Sequence, residues 1–557
     1  MNYSSFEQLS LRLNDEGEVA FIARLAGTGV NPSNNFAVFS GSVGHELTAR
    51  ARAGDQAGGL DTGVVFTSGF IGLSVRLNDA GEIAFLGTLT GPGVDGSNNS
   101  ALLVGPTGGL PIAVAREGDP APGLTGDVSY FAFANPELAA SGGLAFSANL
   151  NGDDVGPSNA EGLFRRSDTG SLGPIARGGW QAPELASGIV FGAPPFESMS
   201  LSDAGHVAFL ADLAGPGVGP TNDQALFSDG SGLGLEPIAR TGDQAGDLPF
   251  GVLYEQFRVA HIAADGRSVF WSTLTGAGVD ATNNSGIFRE AANSGIVSVA
   301  RTGDSAAGFD PEILYSGIGA PGFVLNEAGG LAFVATLAGP GMNAFNNQVI
   351  FRELDASGPE PVVRLGDQAA GLAPGVRYAS LSQLKLSNAG SAAFFSTLSA
   401  GSASFEGIFV ITPSGDIRPA IVEGDQIDVN PDPLVTDLRT VTILSGNYGL
   451  NSRGEVLFTT SLSGGATGIF VSMTVHACPA DLTSSSDPND PGYGEPDGDL
   501  DANDFFFYLD AFVARDLGVC DLTGLSDSND PTYGIPDGDC DADDFFFYLD
   551  LFVAGCA

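Results

Sequence analysis

Residues 78–85 read Asn-Asp-Ala-Gly-Glu-Ile-Ala-Phe, and the phrase they spell, Asn-x-x-Gly-x-x-Ala-Phe, decides the fold. Full copies stand at Asn14-Gly17-Ala20-Phe21, Asn78-Gly81-Ala84-Phe85 and Asn326-Gly329-Ala332-Phe333. Altered copies are Gly142-Ala145-Phe146, Ser202-Gly205-Ala208-Phe209, Gly266-Val269-Phe270, Ser387-Gly390-Ala393-Phe394 and Asn451-Gly454-Leu457-Phe458. Their phenylalanines lie 64, 61, 63, 61, 63, 61 and 64 residues apart, a period too regular for chance.

Working outward from the phrase, a strand such as 9–13 runs into Asn-Asp-x-Gly, where glycine supplies the positive φ of a tight turn. The following segment, Glu82-Ile83-Ala84-Phe85-Leu86, reads as a second strand. A glycine-rich loop from Gly91 to Asn98-Asn99 leads into a third strand at 101–104, and a fourth ends in Arg-x-Gly-Asp. Four strands in about 62 residues, with no helical period between them, make one antiparallel sheet per repeat. A lone sheet leaves an apolar face bare, so the copies must pack face to face, and closing them into a ring protects their edges. The expected fold is all-β, a β-propeller over 1–475. The first three strands occur eight times and the Arg-x-Gly-Asp strand seven. Eight blades with one short blade fit this count; seven blades with a spliced closure, or an open array, are the alternatives.

Composition narrows the function. The chain has 557 residues, 66 acidic against 22 basic, and a formal net charge of −44. Phosphate backbones and anionic membrane surfaces are held by Lys and Arg, so nucleic-acid and membrane-surface partners are not expected. No apolar run approaches a membrane span. The first residues show no signal-peptide pattern and already read as repeat, the pattern expected of a truncated gene start. Only four histidines occur, with no nucleophile elbow, HExxH or phosphate loop, so binding is expected ahead of catalysis.

The repeated polar pairs are Arg52/Asp55, Arg116/Asp119, Arg240/Asp243, Arg301/Asp304 and Arg364/Asp367, with Trp180 in the place of Asp after Arg177 and Val422 in the place of Arg before Asp425. They are expected to be ion pairs or turn caps within a blade; the alternative is a guanidinium ring recognising an anionic glycan. The asparagines at 34–35, 98–99, 283–284 and 346–347 are expected to close loops through their side chains.

The last eighty residues differ in kind. Segment 481–515 repeats as 521–555, with 26 of 35 positions identical, and 476–557 carries 18 Asp and one Glu against one Arg. Asp497, Asp499, Asp501 and Asp504, and their twins Asp537, Asp539, Asp541 and Asp544, are spaced to converge on a hard cation, which crowded carboxylates need. After each loop, Phe505, Tyr508, Leu509, Phe512 and Val513 (Phe545, Tyr548, Leu549, Phe552, Val553) recur at helical spacing as one apolar face. All four cysteines (Cys478, Cys520, Cys540, Cys556) lie here, which suits disulfides in an oxidising compartment; three pairings are open.

This tail resembles a dockerin domain, which implies a small α-helical module with two EF-hand-like loops and about two Ca²⁺ ions. On that pattern Asp481 and Thr483 take the first and third ligand positions, Asp497, Asp499, Asp501 and Asp504 the later ones, and Asp521, Thr523, Asp537, Asp539, Asp541 and Asp544 match them in the second copy. Inserts at 484–496 and 524–536 depart from the pattern, so acidic residues within them are alternatives to Asp481 and Asp521. Gly555-Cys556 is similar to the ending of GC-type dockerin anchors. The repeat region resembles bacterial choice-of-anchor tandem repeat NxxGxxAF proteins. Together these imply an exported or cell-surface binding or scaffold protein, attached through a cohesin-like or cell-envelope partner, with a glycan as a possible ligand. A surface-tethered hydrolase or lyase acting on polysaccharide is the alternative.

Overall fold

The computed structural model describes all residues except 1, 8–9, 43–46, 69–74, 107–108, 292–294, 356, 430–436, 473–479, 481, 484, 487, 489–492, 495–499, 526–537 and 555–557. Residues 1–472 and 473–557 form two compact units. The first is an eight-bladed β-propeller. Each blade is an antiparallel sheet whose strands follow chain order, as in Val252–Ile262, Ser268–Gly276, Ser285–Glu290 and Ile296–Arg301 of blade 5. The first strands and their turns touch from blade to blade, so they are the inner ones.

Every letter of the repeated phrase has a task. The glycine holds a left-handed backbone in all eight turns, with φ between 72° and 88°, a region that excludes most side chains. Asn Oδ1 accepts from the residue four on, as in Glu18 N–H to Asn14 at 2.7 Å and Gly330 N–H to Asn326 at 2.6 Å. Its Nδ2 donates to the next blade: Asn14 to the Asn78 carbonyl, Asn78 to Ala139, Asn326 to Ser387 and Asn451 to Asn14, at 2.8 to 3.1 Å. Phe stacks on an aromatic ring of the third strand; Phe333 and Phe351 lie 5.3 Å apart at 14° and Phe394 and Phe409 5.4 Å apart at 17°. The alanine faces the axis and is taken up below.

The apolar cores lie between blades, one for each of the eight junctions. The core joining blades 5 and 6, for example, combines Ile287 and Trp271 with Phe333 and Phe351. The last junction packs Leu457 of blade 8 on Val19, Phe21 and Phe39 of blade 1 and closes the ring. Seven blades and the open array are therefore excluded.

Blade 8 is the short one. Among the described residues no fourth strand covers Thr467–Ser472, and a cleft of about 650 Å³ opens beside it, lined by Tyr3, Phe21, Leu457 and Phe470. Tyr3 is 44% exposed, whereas its equivalents Tyr130, Tyr254, Tyr315 and Tyr378 are at most 3% exposed. The third strand of blade 8 carries Gly468-Ile469-Phe470, the same triplet as Gly286-Ile287-Phe288 and Gly407-Ile408-Phe409, which do receive a fourth strand.

Hydrogen exchange measures this difference directly. Amides of 467–472 will exchange faster than those of 285–290 and 403–411 despite the shared triplet, because among the described residues no ladder covers their outer edge. Asn451→Ala will lower the unfolding free energy by about 1–3 kcal/mol in urea titration, since it removes the acceptor of the Arg453 and Glu455 N–H groups and one of the two donors to the buried Asn14 carbonyl.

Candidate functional site

The alanine of each phrase pairs across the hairpin with the residue two before the phrase. These pairs are Arg12 with Ala20, Arg76 with Ala84, Glu137 with Ala145, Ser200 with Ala208, His261 with Val269, Val324 with Ala332, Lys385 with Ala393 and Gly449 with Leu457. A small residue leaves room for its long partner, and where the partner is Gly449 the small residue gives way to Leu457. Flanking residues point the other way, into the blade cores; Leu11 and Ile262 are 4% and 3% exposed. The eight partners therefore form one ring on the inner strands, and none of them is fully buried.

This ring carries the heterogeneity that the rest of the repeat lacks. Arg76 grips Glu137 with Nη2 and Nε at 2.9 and 3.1 Å, a two-point fork between neighbouring blades. Arg12 interacts electrostatically with Arg76 and Glu137, Lys385 with Arg12, and His261 with Glu137. Blades 1 and 3, or 3 and 5, are not neighbours, so these side chains meet across the axis. Burial, with Arg76 repelling it, pushes Arg12 down to about 10, and burial with Arg12 beside it lowers Lys385. Burial also lowers His261, which leaves it neutral near pH 7. Two residues earlier the inner strand bulges, and Asn135, Ser198 and Gln383 sit there in left-handed backbone at φ 49°, 47° and 55°.

Beyond the ring, about 10 Å further along strands rising some 3.3 Å per residue, the hairpin turns make a second circuit. Among the described residues, six of the eight turns donate a backbone N–H to the side chain at the same place in a following blade. Ser452 N–H goes to Asp15 at 2.6 Å, Asp15 to Asp79 at 2.9 Å, Ala140 to Asp203 at 3.0 Å, Asp203 to Glu327 at 3.0 Å, Glu327 to Asn388 at 3.1 Å and Ala389 to Ser452 at 3.3 Å. Blade 5 presents Ala264, which has no acceptor, and the longer Glu327 of blade 6 reaches past it. Burial, followed by repulsion from Asp203, Asp265 and Asp79, drives Glu327 up to about 7. Asp79 and Asp203 are raised by the same causes.

The Arg-x-Gly-Asp arginines do something else. Nε of Arg52, Arg116, Arg177, Arg240, Arg301 and Arg364 donates to the carbonyl of Asn34, Asn98, Asn159, Asn222, Asn283 and Asn346, at 2.8 to 3.0 Å. Of the two expected roles, the ion pair to Asp gives way to a buckle onto the loop between the second and third strands, while the turn cap is present, as where Asp425 accepts from Val422 N–H at 2.7 Å. Each asparagine in turn ties its loop, as Asn98 does by accepting from Asp95 N–H at 2.8 Å and donating to Gly93 at 2.9 Å. Blade 7 turns from Ala400 to Ala403 without this loop, and there Val422 replaces the arginine; the two losses go together. Arg177 keeps its buckle although Trp180 follows it.

In the second unit, helices α1 (Ala502–Ala514) and α3 (Ala542–Ala554) pack about a pseudo-two-fold axis, with a one-turn α2 (Leu517–Cys520) between them. Tyr508 and Tyr548 stack on that axis at 3.8 Å and 5°, and neither is exposed. Phe505 meets Phe552 and Phe512 meets Phe545, both at 5.8 Å. Val513 and Val553 are 83% and 82% exposed, so the packed stripe is Phe505, Tyr508 and Phe512, and the valines, a further 100° around, fall off it.

The proposed calcium residues divide into five groups. Asp481, Asp497, Asp499 and Asp537 lie outside the described residues. Asp504 and Asp544 are buried, and each takes three backbone N–H bonds: Asp504 from Leu482, Thr483 and Asp501 at 2.6 to 2.9 Å, Asp544 from Leu522, Thr523 and Asp541 at 2.7 to 2.8 Å. Asp501 and Asp541 cap the helices through Asn503 and Asp543 N–H, completing capping boxes. Thr483 and Thr523 are buried, and their hydroxyls donate to the Ser485 and Leu525 carbonyls. Asp521 accepts from Gly538, and Asp539 is exposed. Among the described residues no three acidic, histidine or cysteine side chains stand at metal-ligating distance. A disulfide joins Cys520 to Cys540, and the first copy has Ala480 and Leu500 at those two places.

The fold and the ring together define a closed propeller with a diversified axial site. The chain belongs to DUF7453, a family of unknown function, whose model matches residues 1–307 and 293–479. No curated protein matches it significantly. Among solved structures it is similar to Porphyromonas gingivalis dipeptidyl peptidase 4, with 11% identity, 84% of this chain covered and a TM-score of 0.43; the chain spans only 58% of that protein. It is also similar to the β-propeller domain of the Trilobed protease from Pyrococcus furiosus (8% identity, 74% and 96% of the two chains, TM-score 0.34). A third likeness is to polysaccharide lyase Uly1 (8% identity, 72% and 89%, TM-score 0.33). At these TM-scores the likenesses say nothing about chemistry.

Glu327 makes stability depend on pH. Its folded value, about 7, lies above the ordinary 4.5, so its stabilising effect is complete below about pH 4.5 and is lost as pH rises through 7. Glu327→Gln keeps an acceptor for Asp203 N–H and will remove about 1–3 kcal/mol of that loss, read as a flatter curve of urea midpoint against pH between 4.5 and 8.

Proposed function

We propose that this protein works outside the cytoplasm as a binding or scaffold protein, its propeller presenting a recognition surface and its Asp-rich module attaching it through bound Ca²⁺. The observation that carries the reading is the division of labour among repeated residues. Arginine and asparagine side chains common to the blades are spent on buckles and stitches. The residues that differ from blade to blade, at the ring, are left facing the axis. A scaffold that holds its shape with constant residues and varies one ring is the arrangement expected of a recognition domain.

The module supports attachment in two ways. The Cys520–Cys540 disulfide is consistent with an extracellular location, and no helix of the described residues is long and apolar enough to cross a membrane. Its donor set is all oxygen, which suits a hard cation. Asp501, Asp521, Asp539 and Asp541, with Asp481, Asp497, Asp499 and Asp537, would hold the ions, while Asp504 and Asp544 anchor the loops to the helices. Bound Ca²⁺ would neutralise the crowded carboxylates and bring each loop down on its helix.

Calcium titration of the full chain tests this. Ca²⁺ will raise the stability of residues 473–557 by about 3 kcal/mol at a hundredfold excess over Kd, leave the propeller unfolding step in place, and be reversed by chelator. Asp501→Asn with Asp541→Asn will weaken binding about tenfold. An absence of both binding heat and stabilisation would sink the attachment reading.

A further inference from the structure

We propose that the axial ring of Arg12, Arg76 and Lys385 is a binding site for an oxyanion, the carboxylate, sulfate or phosphate group of a ligand that enters the propeller channel. The inference rests on reading the propeller as a binding domain and deepens it; the calcium module takes no part.

Charge gives the first argument. The protein has 22 basic residues against 66 acidic ones, yet three basic residues, including Lys385, the chain's single lysine, occupy the same register position on inner strands and so stand at one level of the axis. Glu137 balances one of them through the fork with Arg76. His261, Ser200, Val324 and Gly449 complete the ring without charge. The eight ring positions sum to two positive charges inside a strongly acidic molecule.

Folding does not require them. At the same register position Ser200, Val324 and Gly449 serve blades 4, 6 and 8, so a blade closes as well on a small or neutral residue. Cations gathered where neutral residues suffice are a cost to the fold, through desolvation and mutual repulsion. Residues kept at a cost to stability mark a site.

Access and geometry give the third argument. Lys385 is crowded by protein yet keeps accessible surface on its inner strand, as do Gln383 and Asn135 two positions before their ring residues, so a ligand group can touch the ring at this level. Bulges in the inner strands of blades 3, 4 and 7 re-aim the backbone there. Guanidinium groups present paired donors matched to a planar carboxylate or to a sulfate or phosphate face, and an ammonium adds a point charge. Ser200 and neutral His261 add uncharged donors around the same ring. The turn circuit of Asp15, Asp79, Asp203 and Glu327 repels anions at its end, so the ligand comes from the other.

Calorimetry and thermal melts on the full chain, with galacturonate, sulfate and phosphate each compared with chloride at equal ionic strength, read the proposal and separate its sources. At least one oxyanion will bind one to one and raise Tm by several degrees beyond chloride. Galacturonate alone would mark a uronate ligand; sulfate or phosphate would mark an ester. Lys385→Ser, the residue blade 4 uses, and Arg12→Met will each cut affinity about tenfold while leaving the ligand-free Tm unchanged or higher, and Lys385→Arg will retain binding. Three results would overturn the site: no oxyanion exceeding chloride, affinity unchanged in Lys385→Ser and Arg12→Met, or a lower ligand-free Tm in both, which would make the cations structural. Each leaves the calcium response, and so the attachment reading, untouched.

Discussion

The propeller depends on a circuit of hydrogen bonds at its axis, in which each hairpin turn hands a donor to a following blade. Asparagine Nδ2 and the backbone N–H after it both point the same way around the ring, and the circuit runs through blade 8 back to Asp15. Apolar packing between blades is strong but not directional, and the same faces would pack in an open array. The stitches fix the angle from one blade to the next, and with it the number that closes. That requirement fits the recurrence of the turn glycine in all eight blades, although the asparagine stands in only four.

How the circuit absorbs its exceptions shows what it needs. Ser202 and Ser387 replace Asn and keep the bond within the turn, to His206 and Ser391, but a hydroxyl is too short to serve both partners as the amide does. Ala264 supplies no acceptor, and Glu327 spans the gap from blade 6 to blade 4. The reach buries the carboxylate and brings it into the company of three others, and burial first, then their repulsion, raises Glu327 to about 7. One missing acceptor thus creates the most perturbed acid on the axis.

The eight repeats, their four strands and the twin helices were legible in the sequence because each rests on a period: about 62 residues, two residues, or three to four. Partners that depend on where loops return were not legible. The Arg-x-Gly-Asp pair was expected to be an ion pair or a turn cap; the aspartate does cap its turn, but the arginine reaches back 18 residues to a carbonyl brought beside it by the third strand. Val513 looked like a member of the helix stripe until the stacking of Tyr508 on Tyr548 set the rotation of both helices. The axial ring was hidden for a different reason. A search for repeats seeks identity, and Arg, Arg, Glu, Ser, His, Val, Lys and Gly at one position look like noise. Their neighbour toward the phrase is Leu or Ile in every copy, and the next position on the other side is apolar in most. A variable polar residue fixed between apolar ones is the signal that was there to be read.

Constancy and variation therefore have opposite meanings on the two faces of one inner strand. Residues turned into the blade interfaces answer to neighbours that are themselves repeats, so symmetry holds them alike. Those turned to the axis answer to one another across the ring, where a single two-point pair such as Arg76 with Glu137 already breaks the eightfold equivalence. Once it is broken, every other position sees a different field: Arg12 feels a cation and an anion, Lys385 chiefly a cation, His261 an anion. An unequal field of this kind can orient a ligand, which a symmetric ring cannot. The propeller's regularity is what brings eight independently chosen side chains to one place, and the chemistry follows from their being different.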